Sequence, residues 1–186
     1  MNKLGIIGKP LSHTLSPNIH NSAISYFNLD LTFEKWELEK IDLKQFFSEA
    51  FNKNIIGGCV TIPHKENVLE FFNDYDESVK RIGAANWFKI EKSKIKGFNT
   101  DCEGFEKCIP NSLFKNISEK KCVVFGAGGS SKAVVESLYR NNVKDLTIVN
   151  RTSEKAQLIS YKYKDIKIDI VDLKKKDILK NEIENS

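Results

Sequence analysis

Hydrophobic and polar positions along this chain fall into a strand-then-helix rhythm from its first residues. Lys3 to Gly8 reads as a short apolar strand closed by glycine. Ser16-Pro17 then supplies a cap and a first helical residue for a helix with Ile19, Ala23, Tyr26 and Phe27 at helical spacing. Leu31 to Leu38 alternates imperfectly as a second strand, and Asp42 caps a helix whose Leu43, Phe46, Phe47, Ala50 and Phe51 share one face. Ile55 to Ile62 is a strand interrupted by Gly57-Gly58 and stopped by Pro63. Helices are predicted over Lys65 to Phe72 and Asp74 to Ile82, followed by strands over Ala85 to Ile90 and Lys94 to Phe98 joined by a turn around Ser93.

The second half keeps the alternation with a sharper signature. Lys121 to Phe125 is predicted as a buried strand, and Gly126-Ala127-Gly128-Gly129-Ser130-Ser131-Lys132-Ala133 follows it at once, leading into a helical pattern through Val134, Leu138 and Tyr139. Lys144 to Val149 is the next strand, Ser153 caps the next helix, and Ile166 to Val171 is a third strand. Strand, glycine turn, helix, strand, helix, strand is half of a doubly wound nucleotide-binding sheet. The pattern divides the chain into an α/β domain over residues 1–104 and a nucleotide-binding half-domain over 105–186. An open three-strand sheet is expected to leave Ile166, Ile168, Ile170 and Val171 exposed.

Composition narrows the classes. With 40% hydrophobic and 29% charged residues among 186, and only 10 Gly and 4 Pro, the chain is neither disordered nor fibrous. No apolar run approaches the roughly 18 residues of a membrane span, and the short apolar stretch at the N-terminus does not read as a signal peptide. A cytoplasmic protein that is not associated with a membrane is expected. Cys59, Cys102, Cys108 and Cys122 form no C-x-x-C pair and lie far from the histidines, so reduced thiols and no metal site are expected. The net charge of +4 is unevenly spread, with −1 in residues 1–104 and +5 in residues 105–186. That asymmetry suits a phosphorylated ligand or a solvated lysine surface such as Lys174-Lys175-Lys176; nucleic acid is disfavoured because no basic patch interleaved with aromatics is present.

The candidate chemistry begins at the glycine turn. Gly126 permits a tight turn after the strand, and Gly128 lets a pyrophosphate approach the backbone. The helix from Ser130 offers N–H groups and the positive end of its dipole. Ser131 stands where a third glycine is usual. After the following strand an NAD site wants a carboxylate, and this chain has Asn150-Arg151-Thr152 instead, which favours the 2′-phosphate of NADP. In the first half, Ser12-His13-Thr14-Leu15-Ser16-Pro17 gathers hydroxyls at the start of a helix, suited to helix capping or to a carboxylate ligand. Lys65 and Asp101, taken singly, read as a surface cation and a helix cap.

Taken in order, five blocks resemble the shikimate dehydrogenase family: G-K-P-L-S-H-T-L-S-P-N-I-H-N at 8–21, G-G-C-V-T-I-P-H-K at 57–65, G-A-A-N at 83–86, G-F-N-T-D-C-E-G at 97–104, and G-A-G-G-S-S-K-A at 126–133 with N-R-T at 150–152. The resemblance implies an α/β architecture in which a substrate domain is followed by a partial Rossmann-like NADP-binding domain. It also implies NADPH-dependent reduction of 3-dehydroshikimate to shikimate, a step towards chorismate and the aromatic amino acids. Thr14 and Ser16 would hold the substrate carboxylate, Thr61, Asn86 and Asp101 would contact the hydroxyl-bearing ring, and Lys65 and Asp101 would form the catalytic pair. Gly126, Ala127, Gly128, Gly129, Ser130, Asn150, Arg151 and Thr152 would bind NADP. A homodimer is compatible with the resemblance.

Three departures accompany it. Cys59 replaces the usual Asn, exchanging a strong donor and acceptor for a weak one. Trp87 follows Asn86 where a small Thr is usual, so a displaced or overpacked pocket wall is expected. The sequence ends after its third nucleotide-domain strand, before the family's N-A-T-P/S-x-G segment and its C-terminal Tyr and Gln, which implies reduced stability and crippled hydride transfer. The alternative reading is therefore a truncated, non-catalytic remnant that binds shikimate and NADP. A quinate-accepting relative using NAD is disfavoured by Arg151.

Overall fold

The computed structural model describes every residue except Asn185. The chain forms two compact units, Met1–Thr100 and Asp101–Ser186.

The first unit is a six-stranded sheet of β1 (Asn2–Gly8), β2 (Leu31–Glu37), β3 (Ile55–Val60), β4 (Asp74–Tyr75), β5 (Trp87–Glu91) and β6 (Lys94–Phe98), in the order β2-β1-β3-β5-β6-β4. Its helices are α1 (Ser16–Tyr26), α2 (Leu43–Glu49) and α3 (Glu77–Ile82). β1 runs parallel to β2 and β3, each reached through a helical crossover, whereas β5 is antiparallel to both β3 and β6. One face buries Ile7, Val60 and Phe88 against Leu43 and Phe47 of α2 and against Phe72. Phe47 meets Phe72 and Phe88 edge-on, with centroids 5.5 and 5.4 Å away. The other face buries Ile6, Leu11 and Phe33, with Leu4, Ile24 and Cys59 packed around them.

Four expectations change in this unit. Helix α1 forms, but Ile19, Tyr26 and Phe27 face solvent and none of its residues is buried. It docks instead through His20, stacked 4.2 Å from Phe33, and through Asn21, whose amide donates to the Phe33 carbonyl and accepts its N–H, both at 2.9 Å. Since β2 is an edge strand, this amide satisfies backbone groups that would otherwise lack a partner. Ser16 is the first helical residue rather than the cap, and its N–H is accepted by the Thr14 hydroxyl. Lys65 to Phe72 is a run of turns ending in a 3₁₀ turn at Leu69–Phe71, not a helix. The Lys65 carbonyl accepts the N–H of Ala85 at 2.8 Å, and the Leu69 N–H turns to Glu66 at 3.3 Å. A tertiary bond thus replaces the helical one. Finally, Asp74–Tyr75 pairs with β6, and α3 starts only at Glu77, with Asp76 as its cap accepting the Val79 N–H at 2.9 Å.

The second unit contains α4 (Asp101–Cys108), α5 (Asn111–Phe114), β7 (Lys121–Phe125), α6 (Gly129–Arg140), β8 (Asp145–Asn150), α7 (Ser153–Ser160), β9 (Lys167–Asp172) and α8 (Lys176–Glu184). Its sheet is parallel throughout, in the order β7-β8-β9. Val135 and Leu138 of α6, Leu146 and Ile148 of β8, and Ala156 and Ile159 of α7 form its core. The expected exposure of the last strand is corrected: Ile166, Ile168 and Ile170 are half-buried against that core, and Val171 is buried. The expectation that β7 is buried is corrected too: as an edge strand it buries only Val124, and Phe125 at its end is 54% accessible. Thr152, not Ser153, occupies the cap position of α7, and its side chain makes no capping bond. No helix of the described residues is long and apolar enough to cross a membrane.

Candidate active site

In the first unit, polar side chains gather past the C-terminal ends of β1 and β3. The Thr61 N–H donates to the Ile7 carbonyl at 2.8 Å, prolonging the ladder by one residue. Its methyl occupies the space beside Gly8, where a Cβ would lie 2.4 Å from Thr61 Cγ2, so only glycine allows this approach. From the same strand end the chain reaches Thr14 and Ser16, both half-buried. The Thr14 hydroxyl donates to Ser16 Oγ at 3.2 Å while accepting the Ser16 N–H at 3.3 Å. Ser16 keeps its hydroxyl proton to donate, and the pair stands at the positive end of an 11-residue helix, an arrangement suited to a carboxylate.

Asn86 ties three strands together. Its carbonyl accepts the Val60 N–H at 2.8 Å and its N–H donates to the Phe98 carbonyl at 3.0 Å. Its side-chain amide donates to Thr100 Oγ1 at 2.9 Å and accepts the Thr100 N–H at 3.1 Å. Thr100 directly precedes Asp101, so the amide fixes the backbone from which Asp101 departs. Sequence reasoning missed Thr100 as a partner of Asn86; its place in G-F-N-T-D was the available signal.

Lys65 is half-buried in the segment of turns, its carbonyl held by Ala85. The preceding His64 is 1% exposed, with Nε2 2.8 Å from the Leu38 carbonyl. A carbonyl only accepts, so Nε2 carries the proton and donates it, tying the Lys65 segment to the end of β2. His64 too was missed, although its place between Pro63 and Lys65 in P-H-K marked it. Asp101 opens α4 in the second unit and is half-buried.

Cys59 and Trp87 are direct partners across β3 and β5, and both are half-buried. The indole is thus seated opposite a small thiol. Burial pushes the Cys59 thiol up from its ordinary range, which keeps it neutral at physiological pH.

In the second unit, Gly126 has φ +99°, and a Cβ there would meet Ser131 Oγ at 2.8 Å. Its N–H donates to the Val149 carbonyl at 2.7 Å, which places the glycine turn beside the end of β8. Ala127 is buried beneath the turn. Gly128 occupies the cap position of α6 without a side-chain cap, and a Cβ on it would meet nothing within 4 Å. Gly129 and Ser130 form the first turn of that 12-residue helix, and the N–H groups of a first turn have no intrahelical acceptor. Ser131, in the third glycine position, turns its hydroxyl back to the Phe125 carbonyl at 3.4 Å. Past β8, the Asn150 amide donates to the Thr152 carbonyl at 2.8 Å, shaping a turn that presents Arg151 and Thr152 to solvent. Open space at Gly128, a helix N-terminus and an exposed guanidinium at the same sheet end fit a phosphorylated dinucleotide. No group of three or more His, Cys, Asp or Glu among the described residues is placed to hold a metal ion.

A mixed α/β unit with a polar site at its strand ends, followed by a parallel sheet with a glycine turn, defines a two-unit protein of the Rossmann-like nucleotide-binding class. Comparison with known proteins is consistent along the chain. Residues 6–88 match the family described as shikimate dehydrogenase substrate binding domain, and residues 109–184 match shikimate / quinate 5-dehydrogenase. A curated relative from Caldicellulosiruptor saccharolyticus, "Shikimate dehydrogenase (NADP(+))", is 38% identical over 168 residues, covering 89% of this chain and 60% of the relative. The shikimate dehydrogenase structure from Aquifex aeolicus superposes with a TM-score of 0.81 at 34% identity, covering 92% of this chain and 62% of the other. The Thermus thermophilus shikimate 5-dehydrogenase, solved in complex with shikimate, superposes at 0.76 with 26% identity, covering 92% and 63%. The chain belongs to the shikimate dehydrogenase family. It spans about 60% of the length of the curated relatives it matches.

Proposed function

We propose that this protein acts as an NADP-dependent shikimate dehydrogenase, reversibly reducing 3-dehydroshikimate to shikimate in the route to chorismate and the aromatic amino acids. The observation that carries the reading is the polar constellation at one end of the first sheet: the Thr14–Ser16 hydroxyl pair, Thr61 beside Gly8, and Asn86 bonded to Thr100 next to Asp101. In this reading residues 1–104 bind and turn over the substrate and residues 105–186 bind NADP.

Thr14 and Ser16 hold the carboxylate, while Thr61, Asn86 and Asp101 orient the ring through its hydroxyls. NADPH, when bound, supplies the hydride to the carbonyl carbon. As that carbon is reduced its oxygen gains negative charge, and the Lys65–Asp101 pair stabilises it and moves a proton to it. The half-buried setting of Lys65, with its backbone anchored by Ala85, suits a group that must keep one position through that change. Gly126 to Ser130 receive the pyrophosphate, and Asn150, Arg151 and Thr152 receive the adenosine end, where Arg151 favours a 2′-phosphate over a free hydroxyl.

A second reading, a shikimate- and NADP-binding protein without turnover, draws on Cys59, whose neutral thiol offers only a weak donor beside the substrate groups. One experiment separates the two. The folded chain is given shikimate and NADP⁺, NADPH formation is followed at about 340 nm, and binding of each ligand is titrated alongside. Turnover that Lys65→Ala lowers by about 10² or more, with NADPH affinity unchanged, supports the enzyme. Binding of both ligands without turnover supports the second reading, and binding of neither defeats both.

A further inference from the structure

We propose that Arg140 and Glu106 are positioning residues for Asp101: through Cys102 they fix the first turn of α4 against the end of α6, and so set the direction in which the Asp101 carboxylate meets a substrate hydroxyl. The inference rests on the proposed function, in which Asp101 orients the ring and shares in moving the proton.

Helix α4 does not hold itself in place. Its eight residues are too few for a stable isolated helix, and Gly104 in the middle lowers the propensity further, although a Cβ there would meet nothing within 4 Å. Where its first turn points is therefore decided by what the helix packs on. Cys102 is the buried residue of α4, and Phe105 lies against the core of the second unit. Cys102 directly follows Asp101, so whatever fixes the thiol also fixes the backbone from which the carboxylate departs.

The thiol sits in a polar network shared by two helices. Cys102 Sγ donates to Glu106 Oε1, one turn further along α4, at 3.7 Å, and accepts from Arg140 Nη1 at 3.7 Å. Arg140 Nη1 also stands 3.9 Å from Glu106 Oε1. Asn141, whose Nδ2 donates to the Ser137 carbonyl at 2.9 Å, reaches the same Glu106 oxygen at 3.4 Å. One carboxylate oxygen of α4 thus collects the thiol of its own helix and two side chains from the last residue and the cap of α6.

The charges agree with this arrangement. Burial first, and the Glu106 charge second, push the Cys102 thiol up, which keeps it protonated as the donor that Glu106 receives. Arg140 closes α6, where a cation suits the negative end of the helix dipole. Glu136, buried one turn earlier on α6, adds its charge to the field on Arg140, and its Oε2 accepts the Tyr163 hydroxyl at 2.8 Å. The guanidinium therefore answers to a carboxylate on each helix. The groups proposed to take NADP lie at the opposite end of α6, about 18 Å away along its 12 residues. Cofactor affinity is thus a control for the integrity of this unit.

The test is calorimetric titration of the full chain with shikimate, beside fluorescence titration with NADPH, both independent of turnover. Asp101→Ala should weaken shikimate about 10-fold, as expected for losing a charged hydrogen-bond acceptor. Arg140→Ala should weaken it about 3- to 10-fold while NADPH affinity changes by less than about twofold. Arg140→Lys should recover most of the loss, because both contacts run through Nη1 and a point charge can replace them. In an Asp101→Ala background, Arg140→Ala should change shikimate affinity by less than about twofold, since a positioning residue acts only through the group it positions. Glu106→Gln should repeat the effect of Arg140→Ala and decides the matter if that variant does not fold. A full effect of Arg140→Ala without the Asp101 carboxylate, or an equal loss of NADPH affinity, would mean a role in folding alone and overturn the proposal. Shikimate affinity untouched by both Arg140→Ala and Glu106→Gln would overturn it while leaving the proposed function standing. Failure of the wild type to bind shikimate would overturn both.

Discussion

Helix α8 has no buried residue, and Glu182 ties it to the second sheet through polar contacts. Glu182 accepts a 2.6 Å hydrogen bond from Thr147 Oγ1 and a 2.8 Å ion-paired contact from Lys121 Nζ. Thr147 lies on the central strand β8 and is fully buried, and the side chains of Lys121 and Glu182 are only 21% and 17% exposed. A hydrogen bond to a charged acceptor contributes about 1.5–3 kcal/mol, and a partly exposed ion pair adds at most about 1 kcal/mol. Glu182→Ala should therefore cost about 2 kcal/mol, much of it from leaving the Thr147 hydroxyl buried and unpaired. If that accounting is right, Thr147→Val in the Glu182→Ala background should recover about 1 kcal/mol, because it removes the orphaned group.

Urea unfolding followed by circular dichroism measures both losses, provided the slope stays constant across the variants. Hydrogen exchange along α8 reports whether the loss is local. The pH dependence supplies a sign. The Lys121 ammonium first, and the Thr147 hydroxyl second, hold the Glu182 carboxyl below its ordinary range. A carboxyl depressed in the folded state binds fewer protons there than in the unfolded chain. Its contribution is therefore present above the ordinary carboxylate range and is lost as pH falls through the lowered folded value. Glu182→Gln should flatten that acid limb. A cost for Glu182→Ala below about 0.5 kcal/mol, or a further loss on adding Thr147→Val, would refute the reasoning.

Two further outcomes are expected. The turn between β5 and β6 places Lys92 and Ser93 at φ +48° and +61°, both in the left-handed region that Asn and Gly occupy most readily. Lys92→Asn with Ser93→Gly should stabilise the protein by about 1 kcal/mol, and an unchanged urea midpoint would count against the strain. Gly126→Ala meets both an unfavourable φ and the Ser131 hydroxyl. It should destabilise by about 1–3 kcal/mol and weaken NADPH binding, so unaltered fluorescence titration with NADPH would separate the glycine turn from the cofactor.

Whether a feature was legible in the sequence depended on how local its hydrogen bonds are. Strands β7 and β8 are short, mostly apolar segments around a glycine turn, and each step of that unit is written in neighbouring residues. Helix α1 shows the limit. Its apolar stripe of Ile19, Tyr26 and Phe27 faces solvent, because the docking is done by an aromatic stack and an amide that carry no hydrophobic period. The segment after Pro63 shows it again: its helical pattern is overridden by Ala85, twenty residues away, which takes the Lys65 carbonyl. The site follows the same logic. Thr14, Ser16 and the glycines sit in compact motifs, but the bond between Asn86 and Thr100 spans fourteen residues. Cys59 and Trp87 lie further apart still, and they read as two unrelated departures until the register of β3 and β5 sets them opposite each other. Side chains directly opposed on neighbouring strands share one volume, so a large indole is accommodated where its partner is small.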